Sequence, residues 1–153
     1  MQPRLNPFAI SSEAYKALAN VEAVLRGSSI EKTLRELVKV RASQINGCAY
    51  CIDMHWKDAR AGGETEQRLY GLSAWEESAY YTERERAALA WTESATTLTK
   101  DHMPDALYED VRKHFSEKEI VDLTFVVAVI NAWNRLAIAF RAPAGTYEPG
   151  KHG

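Results

Sequence analysis

The chain has 153 residues, enough for one domain with a real core, and its 46% hydrophobic and 26% charged residues are those of an ordinary globular protein. A net charge of -2, with Lys and Arg scattered among acids as in "TERERAA" and "SEKEIVD", excludes a global field that would favour nucleic acid. Two cysteines are too few for a disulfide scaffold, and "MQPRLNPFAISSEAY" lacks the apolar run of a secretory signal, so a cytoplasmic protein is expected.

From the N-terminus, Met1 to about Ala9 reads as a loop, followed by a helix over "SEAYKALANVEAVLR" that Gly27 closes. Ser28 with Glu31 three residues on has the form of a capping box opening "EKTLRELVKVRASQ". The next helix is placed on "NGCAYCIDMHWKDARAGG", with Asn46 as N-cap and Gly62-Gly63 as the stop. The box recurs as Ser73 with Glu76 before a short helix, Thr82 with Glu85 before a longer one, and Ser116 with Glu119 before the last. Pro104 stands where a first turn would start, ahead of "DALYEDVRKHF". "TFVVAVI" is β-branched, but it lies inside the helical pattern Ile120, Leu123, Val127, Ile130, Trp133/Asn134, Ala137 and reads as buried helix. The tail "APAGTYEPGKHG" reads as a loop. No linker or repeat divides the chain, so residues 1–153 are expected to form a single all-α domain.

The last helix is apolar on nearly every face from Leu123 to Phe140, interrupted by Asn131, Asn134 and Arg135. Such a helix must be covered all round, either as a central core helix or as one shared between core and subunit interface. The second reading predicts a homo-oligomer. The longest apolar run, "LTFVVAVI", is far short of the roughly 20 residues that span a bilayer, so no membrane partner is expected.

Both cysteines lie in "INGCAYCIDMH". On a helix, Cys51 is about 60° from Cys48 and His55 falls within about 20° of Cys48, so the three share one stripe. Cys48 sits near the helix start, where free N–H groups stabilise a thiolate, while Cys51 is four residues before His55, within reach of a base. A redox pair competes here with two other readings. Cys48, Cys51 and His55, with Glu36 or a distant His, would make a zinc set, but structural zinc usually draws ligand pairs from two segments and no second CxxC or HxxxH exists. Two buried thiols with a histidine capping a neighbour is the plain alternative. Glu36 favours the redox reading. Its helix and the cysteine helix are joined by the short Gln44-to-Gly47 connection and are expected to pack as an antiparallel hairpin. A carboxylate there could orient His55 and raise its basicity, although a lone glutamate is usually solvated.

Glu36, eleven residues, Cys48, two residues, Cys51, three residues and His55 resemble the E-x11-C-x2-C-x3-H signature of AhpD-like alkylhydroperoxidases, in the carboxymuconolactone decarboxylase superfamily. "ERERAALAWTESAT" and "NAWNRLAIAFR" look like later segments of its short members, so the likeness runs from about Ile30 to Arg141. The resemblance implies a helical bundle with the cysteine hairpin at its centre, often a hexamer built as a trimer of dimers. It implies peroxide reduction without haem, flavin, metal or other cofactor. Cys51 would be the peroxidatic cysteine, Cys48 the resolving one and proton donor, and His55 and Glu36 the relay. The best-studied members take electrons from a lipoyl-bearing partner, but nothing in this chain marks a docking site, so the thiol reductant stays unidentified, with lipoyl- and thioredoxin-type donors both open. True decarboxylases of the superfamily lack the CxxC relay, which argues against their chemistry here. A non-enzymatic redox sensor and a lactone enzyme stay as alternatives. His102, His114 and His152 are expected at the surface, and Trp56, Trp75, Trp91 and Trp133 in core or interface.

Overall fold

Gly47 decides how the centre of the molecule is wired. Its backbone is left-handed, at φ 70 and ψ 32, a conformation glycine adopts without strain. It ends helix α3 (Lys32–Asn46) and lets α4 (Ala49–Ala61) fold back against it at once. The computed structural model describes residues 2–150, and among the described residues there is no strand. The remaining helices are α1 (Pro7–Ile10), α2 (Ser12–Arg26), α5 (Glu66–Gly71), α6 (Glu83–Thr96), α7 (Leu98–Asp101), α8 (Asp105–Val111) and α9 (Glu117–Phe140), with a 3-10 turn over Leu72–Glu77.

Helix α3 packs against α4, α6 and α9, so the hairpin is central. Leu34 and Val38 meet Leu123, Val126 and Val127 of α9 in the main core, while Leu37 and Val40 face Leu72 and Leu89 on another side. The all-α class and the hairpin agree with the sequence pattern.

Two of the four capping boxes form. Thr82 with Glu85 and Ser116 with Glu119 each satisfy both backbone and side-chain bonds. Ser28 with Glu31 does not, because α3 starts one residue after Glu31 and the Glu31 carboxylate is taken by Arg84, at 3.0 and 3.1 Å. Ser73 with Glu76 also fails: both lie inside the 3-10 turn, kinked at Ala74, whose carbonyls at Trp75 and Glu76 are held by Arg86. Pro104 is the N-cap of α8 rather than its first residue. The N-terminal arm is not all loop, since Asn6 caps the short α1, and Arg4 donates to the Phe140 carbonyl at 3.0 Å. Helix α7 had no sequence signal.

Helix α9 is long and apolar enough to cross a membrane by length and composition, which counting uninterrupted apolar residues had missed. Here it packs on α2, α3, α4 and α6 and carries a buried polar ladder. Asn46 donates to Asn131 at 2.9 Å and to Asn134 at 2.8 Å, and Asn134 donates to Ser43 at 3.0 Å. The polar interruptions in the α9 sequence therefore brace the end of α3, just before the turn into the cysteines.

Candidate active site: a disulfide backed by a buried carboxylate–imidazole pair

Cys48 and Cys51 are joined in a disulfide, with Cα atoms 5.4 Å apart. Cys48, and not Asn46, is the N-cap of α4; Asn46 is the last residue of α3. The Cys48 sulfur accepts a hydrogen bond from the Cys51 N–H at 3.3 Å, so it sits on the free donors of the helix start. The closed pair is buried, with Cys48 1% and Cys51 2% exposed. Ala42 and Ile130 are packed with it, and Tyr50, Trp133 and Ala137 lie against that cluster. Tyr15 meets Trp133 edge-on at 5.0 Å.

One turn beyond Cys51, His55 meets Glu36 of α3. Nδ1 and Oε2 are 2.8 Å apart, with His55 6% and Glu36 8% exposed. Burial pushes the Glu36 carboxyl up, but the hydrogen bond from His55, with the charges of His55, Lys39 and Arg35, outweighs it and holds the group below the usual glutamate value. The hairpin thus brings all four sequence-derived residues into one neighbourhood, as two bonded pairs.

Two further residues stand beside them. Asp58 lies one turn after His55 and carries no motif, and Tyr147 comes from the tail to meet Asp58 Oδ1 at 2.8 Å. Burial first, then the hydrogen bond to Asp58 and the charges of Asp58 and Glu36, hold the Tyr147 phenol protonated far above ordinary tyrosine. Only a helical-wheel count could have flagged Asp58, and nothing local could have flagged Tyr147. Glu36, His55 and Asp58 offer ligand atoms within 4.8 Å of one another, so they are the residues that could hold a metal. The zinc set weighed from sequence differs, because its two thiols are here bonded to each other.

His102 is exposed, His114 is half-buried, and His152 lies outside the described residues. Trp75 and Trp91 are buried, donating to Glu93 and Thr124, and Trp56 stacks on Tyr70. Trp133 packs against both the main core and the disulfide cluster, in line with the expected core or interface position.

The model of the carboxymuconolactone decarboxylase family matches residues 12–94. The Bacillus subtilis (strain 168) protein YdfG is 47% identical over 139 residues, covering 91% of this chain and 95% of that protein. Among solved structures, the Agrobacterium tumefaciens protein ATU0492, of unknown function and provisionally assigned to AhpD-type antioxidant defence, superposes with a TM-score of 0.92 at 42% identity, over 95% of this chain and all of that one. A peroxidase-related protein from Silicibacter sp. TM1040 gives 0.81 at 26% identity, over 91% of this chain and 74% of its own. The debrominase Bmp8, at 18% identity and a TM-score of 0.82 over 91% of this chain and 75% of its own, shares the fold alone. With a family match over more than half its length and a cysteine hairpin of this geometry, the chain belongs to the carboxymuconolactone decarboxylase family, among its AhpD-like members.

Proposed function

We propose that the chain is a thiol-dependent hydroperoxide reductase that cycles Cys48 and Cys51 between dithiol and disulfide. The observation that carries this reading is the buried Glu36–His55 hydrogen bond one turn from the disulfide. A carboxylate on Nδ1 leaves Nε2 for the sulfur side and offsets the charge that the imidazole acquires.

Cys51, four residues before the base, gives its proton to His55. The thiolate attacks the terminal oxygen of the hydroperoxide, the O–O bond breaks, and Cys51 becomes a sulfenic acid. Cys48 protonates the leaving alkoxide to an alcohol. Its own thiolate, stabilised by the N-cap position, then attacks the Cys51 sulfur and expels hydroxide, which takes the proton held on His55 and leaves as water. An external dithiol of lipoyl or thioredoxin type returns two electrons and two protons. The sulfurs lie among apolar side chains, which favours organic hydroperoxides over hydrogen peroxide. No resident cofactor or metal enters the cycle. The reading includes a cytoplasmic homo-oligomer, a hexamer by family likeness, supported by the exposed apolar face of α9.

Consumption of cumene hydroperoxide and hydrogen peroxide, with dithiothreitol, a lipoyl donor and a thioredoxin system in parallel and thiol titration alongside, tests this. Turnover that needs both cysteines supports it. Stoichiometric oxidation without turnover by any donor overturns it in favour of a redox sensor. Lactone turnover by a Cys48→Ser/Cys51→Ser variant overturns it in favour of a decarboxylase-type enzyme.

A further inference from the structure

Beyond α9 the chain does not leave the molecule. Arg141 takes a left-handed backbone, and the tail is led back along α4. Asp53 accepts the Gly145 N–H at 3.0 Å. Lys57, itself paired with Asp53 at 2.9 Å, donates to the carbonyls of Gly145 and Tyr147 at 3.4 and 3.1 Å. This double clasp sets Tyr147 down on Asp58, 89 positions away in sequence.

The end point of the clasp is chemically specific. Asp58, Glu36 and His55 each place one nitrogen or carboxylate oxygen within 4.8 Å of the others. Two carboxylates that close repel unless each has a donor. Glu36 has His55, and Asp58 has the Tyr147 hydroxyl. The phenol stays protonated in this setting, so it acts as a fixed donor and does not compete for the relay's proton.

We infer that Asp58 is a second carboxylate of the Glu36–His55 pair, and that Tyr147, delivered by the C-terminal strap, is the positioning residue that holds Asp58 beside the imidazole. With Glu36 alone, a proton moved onto His55 leaves a neutral pair. With Asp58 added, the imidazolium faces two anions, and proton transfer from the thiol is more favourable. Asp58 is three residues from His55 but seven from Cys51, about 10 Å of helix rise, so its charge acts on the imidazole more than on the thiolate. Other groups surround this cluster: Arg35 and Lys39 on α3, the latter paired with Glu22 of α2, Tyr50, Asp53 and Lys57 on α4, and Tyr15 of α2 beside Tyr50. Asp58→Asn changes the charge at one point among them.

The inference rests on the proposed thiol chemistry, but its test does not require peroxide turnover. In reduced full-length Cys48→Ser protein, thiolate absorbance at 240 nm reports ionisation of Cys51 as pH is raised. Asp58→Asn should move that midpoint upward by about one unit, and Tyr147→Phe in the same direction by less. Peroxide oxidation of Cys51 should then be slowed about tenfold at pH 7 by Asp58→Asn and restored at a pH above the thiol's own ionisation. A loss equal at every pH, or midpoints unchanged in both variants, overturns the inference and leaves the strap a structural feature. A shifted midpoint with no reaction of the parent protein toward peroxide upholds it while refuting the reductase reading. Circular dichroism and melting of both variants separate misfolding from either outcome.

Discussion

Helix α3 buries Arg35, Glu36, Lys39 and Ser43 along with its leucines and valines, whereas α9, the more apolar helix, leaves Val121 and Phe125 53% and Ile138 46% exposed. The difference follows from what surrounds each. Helix α3 is enclosed by α4, α6 and α9, and every buried polar side chain on it has been given a partner. Glu36 bonds His55, Lys39 pairs with Glu22, and Arg35 donates to the Ile30 carbonyl. Among the described residues no buried side-chain nitrogen or oxygen lacks a hydrogen bond. Buried charge persists where it is paired, and the Glu36–His55 pair lies one turn along α4 from Cys51. Helix α9 shows the converse, with Val121, Phe125 and Ile138 left uncovered among the described residues, the kind of apolar surface a subunit contact would need.

The sharpest way to break this contrast is at the sulfurs that α3 and α4 enclose. Cys51→Ser should be nearly inert toward peroxide, while Cys48→Ser should still react and stop at a sulfenic acid on Cys51 that a dimedone-type probe traps. Label on Cys48 in the Cys51→Ser protein, with none on Cys51 in the reciprocal variant, would reverse the two roles.

Glu36→Gln keeps size and removes the acceptor, so thiol oxidation should slow by roughly 10²–10⁴-fold, the range of acid–base groups, with the fold retained. Equal rates across pH would reduce Glu36 to a packing residue. The same variant reads the pair's stability. The Glu36 carboxyl is held below its ordinary value of 4.5, so the native state takes up this proton less readily than the unfolded chain. Its contribution is complete above that value and is lost as pH falls through the lower native one. Melting temperatures at pH 7 and pH 3 should therefore differ less in Glu36→Gln than in the parent.

On the α9 side, the parent should scatter light as an oligomer at micromolar concentration, and Phe125→Asp should lower its mass while leaving the melting transition in place. A parent that elutes and scatters as a monomer would show that the exposed face has some other use. The smallest expected effect concerns helix ends. Ser116→Ala should cost about 1 kcal/mol by removing a formed cap, whereas Ser28→Ala should cost close to nothing, because α3 does not start there. Equal losses in urea unfolding would mean that the bond Ser28 Oγ accepts from the Ile30 N–H at 3.4 Å is worth as much as a formed cap.

The sequence by itself determined the helical class, the stops at Gly27 and Gly62, the capping boxes at Thr82 and Ser116 and the grouping of Glu36, Cys48, Cys51 and His55, because each depends on spacing within a few turns of chain. A helix repeats every 3.6 residues, so one short connection at Gly47 is enough to carry that spacing into three dimensions. Tertiary structure decided the rest. Glu31 was drawn from its cap by Arg84, and Cys48 displaced Asn46 as N-cap because α3 runs on through Asn46 before the left-handed turn at Gly47. Asn131 and Asn134 became braces for the cysteine turn, and Tyr147 crossed 89 positions to reach Asp58. Those outcomes are contacts between segments distant in sequence, and local periodicity and capping chemistry carry no information about which distant donor finds which acceptor.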